Sequence, residues 1–123
     1  MNSELIGKVL SGVTLLFLIV DSGMKIAQAK PSIEATVALG FPESSVVVIG
    51  ILLMVGIVLH AVPKTSVVGA ILITGFLGGA IAAQLRLGNP LFTHILFPVY
   101  VATFMWSGLL LRYPRLWDSL ILN

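Results

Sequence analysis

Three long stretches without a charged side chain constrain this chain more than any other feature. Residues 46–62, 65–85 and 91–111 contain no Asp, Glu, Lys or Arg over 17, 21 and 21 positions. A helix needs roughly 17–25 apolar residues to cross the hydrocarbon core of a bilayer. Charged residues make up only 10% of the chain, against about 25% in soluble domains. The three stretches therefore predict three transmembrane helices in contact with lipid.

A fourth helix is predicted over residues 5–28, although this segment is less uniform. Its uncharged part, residues 9–20, covers only 12 positions, so a spanning helix must include Asp21 and Lys25. The alternative is a signal peptide, because Ala27-Gln28-Ala29 matches the small-x-small pattern of a cleavage site. A signal peptide also begins with a net positive region, which this chain lacks. We therefore prefer the transmembrane interpretation.

Proline and glycine residues set the ends of the helices. Pro63 and Pro114 end the second and fourth helices, and Gly88-Asn89-Pro90 separates the third from the fourth. The predicted helices cover residues 5–28, 44–62, 65–86 and 90–112, and residues 31–39 predict a short helix at the membrane interface. The predicted fold is all-α: an integral membrane four-helix bundle that forms a single domain over residues 1–123.

Small residues recur every four positions in the third predicted helix. One row begins at Ser66 and Ala70, and a second contains Gly75 and Gly79. Rows of small residues allow helix backbones to approach each other closely in lipid. We interpret them first as contacts inside the bundle, with a homodimer interface as the alternative.

Polar residues collect at one predicted membrane face. In a chain with four spans, the first and third helices end on the face where the second and fourth begin. This face carries a candidate ligand-binding site or polar network: Asp21, Lys25, Glu34, Gln84, Arg86 and His94. An acid and a base at i and i+4 pair on one helix face, and ionisable residues within a membrane mark functional sites by default. The alternative is that the Asp21–Lys25 pair and Arg86 only anchor helix ends.

Basic residues set the predicted orientation. The face with the termini carries four of them and the opposite face three: Lys8, Lys64, Arg112 and Arg115 against Lys25, Lys30 and Arg86. By the positive-inside rule this bias favours cytoplasmic termini in a bacterial inner membrane, with the polar network facing outward.

Several kinds of chemistry are disfavoured by the residues present. There is no Cys, and the net charge of +2 forms no basic patch for nucleic acid. His60 and His94 fall at opposite faces, so they cannot share a haem. No metal site is predicted, and no catalytic residue can be assigned.

Four sequence motifs resemble the DoxX-like family of small bacterial membrane proteins. They are DSGMK at residues 21–25, GAILITGFLGGA at 69–80, QLRLGNPLFTHILFP at 84–98 and LLLRYPRL at 109–116. The resemblance covers about residues 6–118 and implies a four-helix membrane bundle. The family takes its name from a subunit of an archaeal thiosulfate:quinone oxidoreductase, which implies a link to quinone or redox processes.

Three functions fit these observations. The preferred one is an accessory or ligand-binding subunit, with quinone as its ligand and a redox protein as its partner. Quinone would enter from lipid and accept hydrogen bonds from Gln84, Arg86 or His94. The other two are a carrier for a small solute and a purely structural membrane bundle.

Overall fold

The chain folds almost entirely into helices. The computed structural model describes the backbone of residues 2–122 and the side chains of residues 2–120. The α-helices in this part of the chain are α1 (Ser3–Ile26), α2 (Lys30–Ala38), α3 (Ser45–Ala61), α4 (Ser66–Arg86), α5 (Phe97–Arg112) and α6 (Pro114–Trp117). A 3₁₀ turn, Pro63–Thr65, joins α3 to α4, and a turn of π-helix, Leu91–Ile95, precedes α5. The all-α prediction is confirmed.

The helix count and the start of the fourth predicted helix differ most from the prediction; the other boundaries agree within two residues. The described residues form six α-helices rather than four long ones and a short one, because Pro114 starts α6 instead of ending all helical structure. The predicted helix 90–112 is interrupted: its first turn is a π-helix, and α5 starts at Phe97. Pro98 explains the break, since its ring nitrogen cannot donate a hydrogen bond to the carbonyl of His94.

The four longest helices pack side by side in a ring. α1 lies between α3 and α5, and α4 also lies between α3 and α5, so that α1 is diagonal to α4 and α3 is diagonal to α5. Consecutive long helices run antiparallel. The buried centre takes one or more apolar side chains from each of them: Leu18, Leu53, Ile73, Met105 and Leu109. Burial of these side chains holds the helices together.

The outer surface of this bundle is apolar. Leu16 on α1 and Leu52 on α3 are 65% and 63% exposed, although both lie in the middle of their helices. Three segments are long and apolar enough to cross a membrane: Ser3–Ile26, Pro63–Arg86 and Leu91–Arg112. Exposed apolar side chains around a whole bundle are what a helical membrane protein presents to lipid.

The small residues of α4 face two different directions. Gly69 and Ala70 are buried against α3, as expected for contacts inside the bundle. Gly75 and Gly79 point outward, and a Cβ atom built on either would meet nothing within 4 Å. The prediction that this second row packs inside the bundle is therefore wrong. The 3.6-residue period explains the result, because a row that repeats every four residues turns about 40° at each step. Ser66 and Ala70 are therefore buried, whereas Thr74, Gly75, Gly78 and Gly79 are exposed.

Candidate functional site

The antiparallel packing gives the bundle two distinct ends. We call the end formed by the last turns of α1 and α4, by α2 and by the first turns of α3 and α5 the α2 end. The opposite end, which holds the start of α1, the α3–α4 turn and the last turn of α5, is the termini end. All six residues of the predicted polar network lie at the α2 end. Among them, the structure shows one direct bond, between Asp21 and Lys25.

The Asp21–Lys25 pair lies where α1 packs on α3. The ammonium of Lys25 donates to the carboxylate of Asp21 at 2.6 Å, and the side chain of Lys25 is only 16% exposed. Gly50 of α3 makes room for it, because a Cβ atom there would lie 2.8 Å from the Cβ of Lys25. Next to this pair, the buried hydroxyl of Ser22 donates to the carbonyl of Gly50 at 2.6 Å. The pair is therefore part of the α1–α3 contact.

Arg86 has a backbone partner instead of an acidic one. Its Nη2 donates to the carbonyl of Leu39, the C-cap residue of α2, at 2.7 Å. Gly40 adopts a left-handed conformation (φ 95°), and its missing side chain leaves space for the guanidinium. A cation at a helix C-terminus is favourable because the carbonyl ends of the helix carry partial negative charge. Arg86 thus ties α2 to the end of α4.

We expect Arg86→Gln to loosen α2. Without the guanidinium, the Leu39 carbonyl loses its long-range partner, so amide hydrogen exchange over residues 30–41 should rise about fivefold. Arg115→Gln is the control, because Arg115 is exposed at the termini end. Equal exchange in this segment for both variants and the wild type would contradict the assignment.

The remaining predicted residues have local partners. The side-chain amide of Gln84 accepts a hydrogen bond from that of Asn89, in the turn that follows α4. His94 is exposed, and its Nδ1 lies 2.8 Å from the hydroxyl of Thr93. Glu34 lies 3.9 Å from Lys30 with both side chains exposed, an arrangement that contributes little to stability.

An apolar groove runs between α4 and α5 on the lipid-facing surface. Its volume is about 340 Å³, and it is lined by Thr74, Leu77, Gly78, Ile81, Pro98, Val99, Ala102, Thr103 and Trp106. At one end, the indole nitrogen of Trp106 donates to the hydroxyl of Thr74 at 2.8 Å. At the other end, Ile81 and Pro98 lead toward Gln84 and His94 at the α2 end.

The sequence did not reveal this groove. Thr74 and Gly78 continue the row of small residues that begins at Ser66 and Ala70, and that row predicts contacts inside the bundle rather than a groove on its surface. The signal that could have found the groove is their spacing, because Thr74, Gly78 and Ile81 recur every three to four residues and so share one helix face. Sequence spacing cannot identify the facing helix.

The polar groups offer no evident metal site. Within residues 2–122, no three His, Asp or Glu side chains cluster as metal ligands would. The groove has a different character: apolar walls with a few hydroxyl groups, which is the composition of pockets that bind lipophilic molecules.

Comparison with known proteins agrees with the architecture. A search of curated proteins and of solved structures found no match to this chain. The family model described as the DoxX-like family matches residues 9–108, which include most of α1, all of α2 to α4 and most of α5. With its apolar, lipid-facing helices, the chain is a membrane protein that belongs to the DoxX-like family.

Proposed function

We propose that this protein is an accessory, ligand-binding subunit that binds a quinone-type molecule from the membrane and serves a redox protein partner. The observation that carries the proposal is the groove between α4 and α5, which is open to lipid along its length and ends near polar side chains. We further propose that residues 1–123 form one transmembrane domain in the bacterial inner membrane, with both termini in the cytoplasm.

The proposal includes four spans, with α3 as the second. α3 has 17 residues, which at 1.5 Å per residue gives a length of about 26 Å. That is close to the roughly 30 Å of a hydrocarbon core, and 17 is the lower limit for a spanning helix. The exposed Leu52 in the middle of α3 also supports contact with lipid. Four spans place both termini on one side.

A quinone is amphipathic, and the groove has matching parts. The apolar tail would lie against Leu77, Ile81 and Val99. The ring carbonyls can only accept hydrogen bonds, and His94 is exposed within one helical turn of Pro98. The indole of Trp106 lines the opposite end of the groove, where it would contact the tail rather than the ring.

Fluorescence quenching in lipid nanodiscs tests this function. Trp117→Phe leaves Trp106 as the sole tryptophan of the chain, and a short-chain ubiquinone or menaquinone analogue should quench it saturably. Gly78→Leu fills the groove and should remove the saturable component. Gly79→Leu is the matched control, because Gly79 is equally free of neighbours but does not line the groove.

The outcomes separate a quinone site in the groove from a purely structural bundle. Saturable quenching that Gly78→Leu removes and Gly79→Leu retains supports the quinone site. Quenching that rises linearly with quinone in all variants reports only partitioning into lipid, and it would leave the structural bundle as the better description. Saturation that both leucine variants retain would contradict binding in this groove.

A further inference from the structure

The apolar segment Leu91–Arg112 contains a break in its helical hydrogen bonds. Leu96 separates the turn of π-helix, Leu91–Ile95, from α5, which begins at Phe97. It is the sixth residue of a segment that is long and apolar enough to span the membrane. Lipid supplies no hydrogen bonds, so a break at this depth is tolerated only where the freed backbone groups are buried in protein or line a cavity.

The break frees backbone groups on both of its sides. Among the described residues, no backbone N–H donates to the carbonyl of His94 or to that of Ile95, and the N–H of Val99 donates to no backbone carbonyl. Pro98 explains the first case, because it has no N–H to offer to His94. In a continuous helix, the N–H of Val99 would bond to the carbonyl of Ile95. The break therefore leaves two acceptors and one donor close together.

These freed groups lie at the α2 end of the groove between α4 and α5. Carbonyl groups of a helical turn point toward its C-terminal end, where the backbone nitrogen four residues later would receive them. The carbonyls of His94 and Ile95 are thus directed toward Pro98 and Val99, and both of these residues line the groove. A molecule that lies in the groove with its polar head at this end would meet all three groups.

A phenol of the protein itself pairs with another carbonyl at the break. The N–H of Leu96 bonds to the carbonyl of Leu91 rather than to that of Phe92. The hydroxyl of Tyr100 donates to the freed carbonyl of Phe92 at 2.9 Å. This bond shows which kind of group suits the break: a hydroxyl group on an aromatic ring.

We propose that the groove binds the reduced form of the quinone, the quinol, in preference to the oxidised form. This inference rests on the proposed function and adds the redox state of the ligand. A quinol hydroxyl is a phenol that donates to the carbonyl of His94 or Ile95 and accepts from the N–H of Val99. A quinone carbonyl accepts from Val99 alone, so its ring covers both backbone carbonyls and leaves them unpaired.

The preference should be about tenfold in affinity, because the quinone leaves acceptors unpaired where the quinol satisfies at least one of them. Binding of the reduced form ten times more tightly raises the potential of a two-electron couple by about 30 mV. A quinone in the groove would therefore be easier to reduce than one that is free in the bilayer.

Competition in lipid nanodiscs under argon measures this preference. In the Trp117→Phe background, quenching of Trp106 reports binding of a short-chain quinone. The two competitors are the corresponding quinol and its dimethyl ether, which keeps the ring and tail but cannot donate a hydrogen bond. The quinol should reverse the quenching with an affinity about ten times that of the quinone, and the ether should be at least ten times weaker than the quinol.

Pro98→Ala tests whether the break carries the preference. Alanine restores an N–H at position 98, so the helix can continue through Leu96 and pair the carbonyls of His94 and Ile95 internally. The ratio of quinol to quinone affinity should then fall to about one. Loss of the proline ring from the groove wall affects both forms alike, so it cancels in the ratio. Pro114→Ala, at the start of α6, is the matched control and should keep the tenfold ratio.

The outcomes distinguish this inference from the proposed function. A tenfold ratio that Pro98→Ala removes and Pro114→Ala retains supports it. Equal affinities for quinol, ether and quinone, with saturable quenching, would overturn the preference and leave the quinone site in place. A ratio that Pro98→Ala retains would overturn the role of the break. If no form binds saturably, the proposed function fails together with this inference. If Pro98→Ala does not fold, the comparison of quinol with ether in the wild type decides.

Discussion

Gly69→Ala should destabilise the protein by about 3 kcal/mol, at the upper end of the usual cost of overpacking. The α3 and α4 backbones meet at this residue: a Cβ atom on Gly69 would lie 2.6 Å from the Cα of His60 and 2.7 Å from the carbonyl oxygen of Gly56. Both neighbours are backbone atoms, so no side chain can rotate away. The helices must separate, which also disturbs the packing of the core.

The matched control for this variant is Gly75→Ala on the same helix. A Cβ atom at Gly75 meets nothing within 4 Å, so the change should stabilise α4 slightly, by up to about 1 kcal/mol, because Ala is a better helix former than Gly. Thermal unfolding in mild detergent, followed by loss of the monodisperse elution peak, compares the two. Equal midpoints would show that the α3–α4 contact is looser than described.

Gly108→Ala should have the second-largest effect, a loss of about 2 kcal/mol. Gly108 lies at the α1–α5 contact, where an added Cβ would come within 2.5 Å of Ser11 Oγ and 2.8 Å of the Ser11 backbone nitrogen. The hydroxyl of Ser11 can rotate, but the nitrogen cannot, so α1 must shift. We expect a somewhat smaller cost than at Gly69, where all three of the nearest atoms belong to the backbone.

Gly12→Ala is the control for the α1–α5 contact. Gly12 lies on α1, next to Ser11, but a Cβ atom on Gly12 meets nothing within 4 Å. Hydrogen exchange separates the two contacts further: Gly108→Ala should raise exchange first in the early turns of α1, and Gly69→Ala first around the α3–α4 turn. A uniform rise in both variants would contradict the assignment of two separate contacts.

The helices themselves could largely be predicted from the sequence. Residues 44–62 and 65–86 were predicted for α3 and α4, which the structure gives as Ser45–Ala61 and Ser66–Arg86. The success has a local cause, because a run of uncharged residues sets the length of its own helix and the flanking prolines and glycines set its ends. The failures were at two prolines. Pro98 is preceded by a turn of π-helix that interrupts the predicted helix, and Pro114 starts a new short helix instead of ending the helical structure.

The partners of the polar residues were much less predictable. The i, i+4 spacing of Asp21 and Lys25 correctly implied a pair, because both lie on one helix. Arg86 was assigned to the polar network, but its guanidinium donates to the carbonyl of Leu39, 47 positions away in the sequence. No charge pattern indicates a backbone oxygen, so sequence reasoning had no signal for this contact. Whether the six residues bind a ligand stays a prediction.

The sequence by itself determined that the chain lies in a lipid bilayer, that its fold is all-α, and at which end of the bundle each polar residue lies. Those properties follow from the length and order of the uncharged segments, because each segment must by itself be long and apolar enough to cross the bilayer and must satisfy its own backbone hydrogen bonds. Only the tertiary structure decided which faces meet. Gly69 is buried against α3, while Gly75 on the same helix faces outward. These outcomes depend on how each helix is rotated against its neighbours, which close packing of all the side chains fixes together.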